Sequence, residues 1–136
     1  REYGMNTDDT GRYSAMFKPF HLIGLELNIS ILSAGLRRLP TGSTKDFCGD
    51  VVATAKRDLK RGEILDGEGG STVWGKLIPA KTSLKKRYFP IGLAQGVALK
   101  RSLKMGSVVG WDDIIFDPND DTILVRKSME KHFSEK

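Results

Sequence analysis

The sequence predicts an α+β protein in which a mainly β module is flanked by helices. Three observations predict this class. A short motif occurs twice within residues 51–111, an apolar pattern with helical spacing precedes it over residues 20–38, and a helix-start signal follows it. The predicted organisation is a leading segment of residues 1–47, a β module of residues 48–116 and a C-terminal helix of residues 117–136.

The repeated motif begins at Lys56 and begins again at Lys100, which is 44 residues later. A Lys-Arg pair, a leucine, a second lysine and a glycine recur in register in both copies. Two copies are too few for a solenoid, which needs about three or more repeats. The motif therefore indicates a duplicated element inside one small domain.

Each copy is typical of a strand, a charged turn and a second short strand, with the first strands predicted at residues 51–55 and 91–99. The glycine of each turn, Gly62 or Gly106, is expected to adopt a positive φ. The leucine of each turn, Leu59 or Leu103, is expected to be buried, which would stabilise the turn by roughly 1.5–3 kcal/mol.

The net charge of +5 is unevenly distributed along the chain. Residues 51–110 carry 12 Lys and Arg against 4 Asp and Glu, a balance of +8, whereas the remaining residues carry 10 against 13, a balance of −3. Basic surface of this kind attracts nucleic acid, phosphorylated metabolites or an acidic partner, or is simply solvated. We expect no nucleic-acid partner, because few aromatic residues lie among the basic ones.

Several other classes of protein are disfavoured. The single cysteine, Cys48, excludes an internal disulfide framework and fits a reducing compartment, so we expect a cytoplasmic protein. No apolar run reaches transmembrane length, and we expect no membrane partner. His21, His132 and Cys48 are too scattered to predict a metal site. Residues 70–76 fit the start of a P-loop, but Leu77 replaces its Ser or Thr, which argues against nucleotide hydrolysis.

The apolar residues of the predicted helix at 20–38 lie on nearly all of its faces. A helix of this kind requires burial on every side. A small β module cannot enclose it, so we expect it to pack against another domain or a second subunit, and a homo-oligomer is predicted.

The second half of the chain carries three further signals. Residues 72–78 predict a strand that ends at Pro79, and residues 82–88 predict a polar, basic connection. Asp117 and Pro118 predict the cap and the first residue of the C-terminal helix. Four apolar residues of that helix are expected to face the domain: Leu124, Val125, Met129 and Phe133.

The valine-rich strand, the turn pattern (K/R)-x-(I/L)-x-x-G-x-(I/V/L), its second copy and the closing Gly110 to Ile114 together resemble the SAF module. The resemblance covers about residues 48–115 and implies a compact β-clip fold. This antifreeze-like module occurs in sialic acid synthases, in altronate dehydratases and in pilus and flagellar assembly proteins. It also occurs at the C-terminus of a group of NAD(P)-dependent oxidoreductases.

Residues 13–26 are similar to the segment that joins the catalytic domain to the SAF module in those oxidoreductases, whose catalytic half is homoserine dehydrogenase-like or deoxyxylulose phosphate reductoisomerase-like. The resemblance implies substrate-binding roles for Tyr13, Lys18 and His21. Lys18 would offer a cation to a phosphate or carboxylate, and His21 a hydrogen bond or a proton. Lys18 stands where arginine is usual, which loses bidentate binding. The alternative is that His21 caps the helix and Lys18 is solvated.

On this resemblance, residues 1–47 are the end of a truncated catalytic domain whose Rossmann-like part lies outside the chain. The parent would use NAD(P) on a small phosphorylated or carboxylated sugar-like substrate. This chain alone would hold no cofactor, metal or catalytic residue and would be inactive. The alternative is a non-enzymatic SAF module of the sugar-binding or the pilus and flagellar assembly type.

Overall fold

The computed structural model describes residues 6–43 and 45–134 of the 136-residue chain. The chain divides into two compact units, Arg1–Thr44 and Lys45–Lys136. The first unit contains α1, Ile23–Leu32, which continues into a π-helical turn, Ser33–Arg37.

The second unit contains strands and two helices, which confirms the α+β class. Its strands are β1 Gly49–Ala55, β2 Ile64–Asp66, β3 Val73–Pro79, β4 Gln95–Leu99 and β5 Ile114–Ile115. Its α-helices are α2 Ala80–Lys86 and α3 Asp121–Ser134, and its 3-10 turns are Ile91–Leu93 and Trp111–Asp113.

Helix α1 lies within the predicted range of residues 20–38 and changes from α to π geometry at Ser33. The C-terminal cap of the π-helical turn is Arg38, whose φ is 54°, and the Ser33 hydroxyl donates to the Leu39 carbonyl at 2.9 Å. No residue of α1 is buried in the described chain, and Leu25, for example, is 66% exposed. Whether a partner covers this helix stays a prediction.

The second unit is built around β1. This strand pairs along its whole length with antiparallel β3, and its other edge receives isolated bridges from Pro90 and Val108. In a separate sheet, β4 lies between β2 and β5 and is antiparallel to both. Aliphatic side chains from both sheets form the core, together with Phe89 and Trp111, whose rings meet edge to face at 4.9 Å.

The two copies of the repeated motif bind each other through their backbones. Leu59 and Leu103 exchange both hydrogen bonds, with N–O distances of 2.8 and 2.9 Å. The flanking bonds come in equivalent pairs: Gly62 N to Leu99 O matches Gly106 N to Ala55 O, and Leu99 N to Glu63 O matches Ala55 N to Ser107 O. Each bond becomes its counterpart when the two copies are exchanged. The pattern is therefore two-fold symmetric, which fits an internal duplication.

The special residues of each copy behave as the sequence predicts. Gly62 and Gly106 have φ values of +81° and +80°. Leu59 is 2% exposed and Leu103 is 9% exposed, so both leucines fix their turns to the core.

The structure corrects two predictions between β3 and β4. Residues 82–86, predicted as part of a polar connection over residues 82–88, belong to α2, because Ala80 and Ser83 are buried on the inner side of this helix while its lysines stay in solvent. The strand predicted from residue 91 begins only at Gln95, because Ile91–Leu93 forms a 3-10 turn.

The start of the C-terminal helix was also predicted wrongly. Asp117 Oδ1 accepts a hydrogen bond from Asn119 N and closes a turn instead of capping the helix. Asp120 is the capping residue, since its Oδ1 accepts from Thr122 N at 2.9 Å and from Ile123 N at 3.3 Å. Because the helix starts later than predicted, a different set of its side chains faces the core. Ile123 is buried and Met129 and Phe133 are half-buried, whereas Leu124 and Val125, predicted to face the domain, are exposed.

Candidate functional site

A polar cluster around Glu26 brings together two of the three residues predicted to bind substrate. Glu26 lies in the first turn of α1, and its Oε2 is 2.6 Å from His21 Nδ1. Lys18 Nζ donates to Glu26 Oε1, which also lies 3.3 Å from the backbone nitrogen of Leu22. One carboxylate thus fixes the cation, the imidazole and the start of the helix.

The cluster is open to solvent, because the Lys18 and His21 side chains are both largely exposed. Glu26 neutralises Lys18, so the cluster does not carry a ready-made anion site. An anionic ligand would compete with Glu26 for the ammonium group. The His21 imidazole keeps Nε2 available for a hydrogen bond, since Glu26 contacts Nδ1.

Tyr13, the third predicted residue, is placed differently. Its backbone belongs to a turn in which Asp8 Oδ1 accepts hydrogen bonds from Arg12 N and Tyr13 N, both at 3.1 Å. The Tyr13 side chain is 71% exposed, and within the described residues it makes no hydrogen bond with Lys18 or His21.

The basic charge of the second unit is partly neutralised within the repeated turns. Arg57 pairs with Glu63, Arg101 pairs with the buried Asp113, and Lys104 Nζ lies 2.8 Å from Asp58 Oδ2. The hydrogen bond from Arg57, followed by that from the Lys60 backbone, lowers the pKa of Glu63. These ion pairs therefore hold three of the turn cations, Arg57, Arg101 and Lys104, in a salt-bridged framework.

A buried ion pair fastens α3 to the rest of the second unit. The side chains of Asp50 and Arg126 are only 4% and 13% exposed. The Arg126 guanidinium donates to both oxygens of Asp50, at 3.1 and 2.6 Å, and the Ser83 hydroxyl donates to Oδ2 at 2.6 Å. Arg126 Nε donates to Glu130 at 2.8 Å. We refer to Asp50, Ser83, Arg126 and Glu130 as the α3 latch.

The latch is structural rather than catalytic, because its polar atoms satisfy one another. Burial acts to raise the pKa of Asp50, but the hydrogen bonds from Arg126 and Ser83 and the charge of Arg126 outweigh it, and the pKa is lowered. The neighbouring Lys127 Nζ lies 3.4 Å from the centre of the Trp111 ring, which adds a cation–π contact to the same docking surface.

A cleft of about 360 Å³ opens between the turn before β4 and the start of α3. Its polar lining includes Gln95, Asp117 and Asp120. The sequence did not predict this site, because its residues come from three elements and the two aspartates are explained by turns. One local feature of the sequence points to the cleft. Asp120 is a helix-capping residue and is followed closely by an apolar residue, Ile123.

Most of the second unit matches a known domain family. Residues 50–115 match the family model of the SAF domain, and the match extends from β1 to the end of β5. The prediction of an SAF module is thereby confirmed. No curated protein sequence matches the chain.

Two features are absent from the residues that the structure describes. None of their helices has the length and apolar character needed to cross a bilayer. They also contain no group of three or more His, Cys, Asp or Glu side chains that could hold a metal ion.

Proposed function

We propose that this chain, which contains an SAF domain at residues 50–115, is the C-terminal part of an NAD(P)-dependent oxidoreductase. In this proposal it supports the substrate site or the oligomer of a Rossmann-like catalytic domain. The observation that carries the proposal is α1, whose leucine and isoleucine side chains point in all directions while none of them is buried. Such a helix is stable in water only when other protein encloses it.

The Glu26 cluster supports the same proposal, because it lies at the start of this helix. A substrate phosphate or carboxylate would take Lys18 from Glu26, and His21 would donate or accept a hydrogen bond from its free ring nitrogen. Glu26 would then orient the imidazole. A small phosphorylated or carboxylated sugar-like substrate fits these groups.

The alternative function is a non-enzymatic SAF binding module. One observation favours it: the second unit has its own core and its own cleft, so it needs no catalytic domain in order to bind a ligand.

The coding sequence upstream of Arg1 separates the two proposals. A strand, a Gly-x-Gly-x-x-Gly turn and a helix encoded there would support the oxidoreductase. A signal peptide there would overturn it and favour the binding module.

In the proposed full-length oxidoreductase, Lys18→Ala is expected to lower kcat/KM for an anionic substrate, mainly by raising KM. Lys131→Ala, on α3, should leave both kcat and KM unchanged.

The 136-residue chain provides a direct test. Fluorescence titration with NADPH should show no binding, because the proposal assigns the cofactor to the catalytic domain. Saturable binding of NADPH by this chain alone would contradict that assignment.

A further inference from the structure

Equivalent positions of the two repeated turns hold an aspartate in one copy and a serine in the other. Asp58 of the first turn corresponds to Ser102 of the second, since the copies are offset by 44 residues. Asp58 Oδ1 accepts a hydrogen bond from Met105 N at 2.9 Å. Ser102 Oγ accepts the equivalent bond from Arg61 N at 3.0 Å. The two-fold symmetry of the paired turns therefore extends to these two side chains.

The aspartate is matched by a cation, whereas the serine leaves the equivalent cation without an anion. Asp58 Oδ2 lies 2.8 Å from Lys104 Nζ. Lys60 is equivalent to Lys104, but its counterpart of Asp58 is Ser102, whose side chain has no carboxylate. Within the described residues Lys60 forms no salt bridge, although its charge helps to lower the pKa of Glu63. The second site thus has the N–H donor and the cation of the first site and lacks its anion.

These groups line one shallow depression on the surface of the paired turns. Its volume is about 260 Å³, and its lining consists of Asp58, Leu59, Lys60, Ser102, Leu103 and Lys104. Lys60 and Ser102 therefore lie on the same surface, and both are exposed. The pairing of Asp58 with Lys104 reduces the repulsion that a second anion would meet there.

We propose that Ser102 is a phosphorylation site, at which the phosphate supplies the anion that Asp58 supplies in the other turn. The phosphate oxygens accept from the Lys60 ammonium group and from the Arg61 N–H, which are the counterparts of the two donors to Asp58. Such charge-assisted hydrogen bonds are the usual way in which a phosphate orders the segment that carries it. The proposal concerns the repeated turns alone and does not depend on the oxidoreductase proposal.

The residues around Ser102 suit a protein kinase that selects basic substrates. Lys100 and Arg101 precede the serine, Lys104 follows it, and all three are exposed. Charge complementarity with an acidic kinase cleft favours such a sequence. In the transfer, the Ser102 oxygen forms a bond to the γ-phosphorus of ATP, and the bond from that phosphorus to the bridging oxygen breaks. ADP leaves with the bonding electrons, and the hydroxyl proton passes to the base of the kinase.

The first test is phosphorylation of the full chain by a serine kinase of this basic specificity, with ATP and Mg²⁺. Mass spectrometry locates the modified residue. We expect phosphate at Ser102 and its loss in Ser102→Ala. Thr82→Ala is the matched control, because Thr82 is also an exposed hydroxyl beside lysines but lies on α2, outside the paired turns. It should leave the extent of phosphorylation at Ser102 unchanged.

The second test is a ³¹P NMR titration of the phosphorylated chain. The second pKa of phosphoserine is ordinarily about 6. Contact with Lys60 should lower this pKa, because the ammonium group stabilises the dianion. Lys60→Ala should raise it back toward about 6, whereas Lys76→Ala, at an exposed lysine of β3, should not change it. A dispersed amide spectrum shows in each case that the variant is folded.

Two results would overturn the proposal: no phosphate at Ser102 after the kinase reaction, or the same phosphate pKa in the phosphorylated wild type and in Lys60→Ala. Neither result bears on the coding sequence upstream or on NADPH binding, so the two proposals fail independently.

Discussion

Gly62 and Gly106 show how strongly single residues constrain this chain. Each has a φ near +80°, a conformation that side chains rarely adopt. A methyl group added at either position would meet no heavy atom within 4 Å. The backbone alone, rather than packing, therefore explains the glycine at both turns.

We expect Gly62→Ala and Gly106→Ala each to lower the free energy of unfolding by roughly 1–2 kcal/mol, because alanine is strained in this conformation. The two effects should be similar, since the turns are equivalent. Urea denaturation of the two variants measures both values.

Gly92→Ala is the matched control, because Gly92 has equally open surroundings but no positive φ. It should be neutral or stabilising by up to about 1 kcal/mol. A loss at Gly92 equal to that at the turns would contradict the backbone explanation.

At the scale of elements, α3 is attached through charged groups as well as apolar ones. Of its fourteen residues, all described, only Ile123 is buried. The latch, the contact of Lys127 with Trp111 and the ring contact of Phe133 with Phe47 add to the docking surface. A buried pair of this kind is costly to break, because removing one partner leaves the other charge without compensation.

We expect Asp50→Asn to lower the free energy of unfolding by roughly 2–5 kcal/mol, since Arg126 would lose its buried counter-ion. Asp112→Asn is the control, because Asp112 pairs with Arg87 at the exposed surface. It should cost less than about 1 kcal/mol. Urea denaturation measures both variants, and equal losses would show that the latch contributes no more than a surface pair.

The latch also predicts a pH dependence. The pKa of Asp50 is lower in the folded than in the unfolded chain, so its contribution is complete above the ordinary aspartate pKa of about 4. The contribution is lost as the pH falls through the folded value. The melting temperature should therefore fall in acid, and it should fall less steeply in Asp50→Asn. Parallel curves for the two proteins would contradict this assignment.

At the scale of the whole molecule, the two units differ in how much of their apolar surface is exposed to solvent. The second unit encloses a core of aliphatic and aromatic side chains, whereas α1 exposes nearly every apolar residue it has. The core of the second unit therefore contains no residue of α1. The apolar surface of α1 is available for association.

We expect Leu25→Asp and Leu32→Asp to leave the urea midpoint of the second unit unchanged and to reduce self-association in sedimentation velocity. Asn28→Asp is the control, because it adds the same charge to α1 without removing an apolar side chain. Unfolding of the β unit in either leucine variant would refute the independence of the two units. Unchanged association would refute the predicted oligomer.

The features predictable from the sequence are those that short stretches of chain determine. The turn glycines follow from backbone conformation, and the turn leucines follow from being the apolar residue in a charged segment. The proximity of Lys18 and His21 was predictable for the same reason, since both are close to Glu26 along the chain.

The missed features depend on contacts between distant residues. Asp50 and Arg126 are 76 residues apart, and nothing local distinguishes them from solvated charges. Helix α2 was missed because its inward side chains are small and its lysines dominate the pattern. The start of α3 was misplaced because Asp117 and Asp120 are both suitable caps, and only the packing of Ile123 decides between them.

The mutual pairing of the two repeated turns has a consequence for how the chain acquires its structure. The bonds between Leu59 and Leu103 close a loop of 44 residues, so the entropy of loop closure is lost before these contacts form. Such long-range pairing raises the contact order and slows folding. On the ribosome, the first turn emerges well before its partner has been synthesised. We therefore expect this unit to fold late and in a single step, after the second turn has left the exit tunnel.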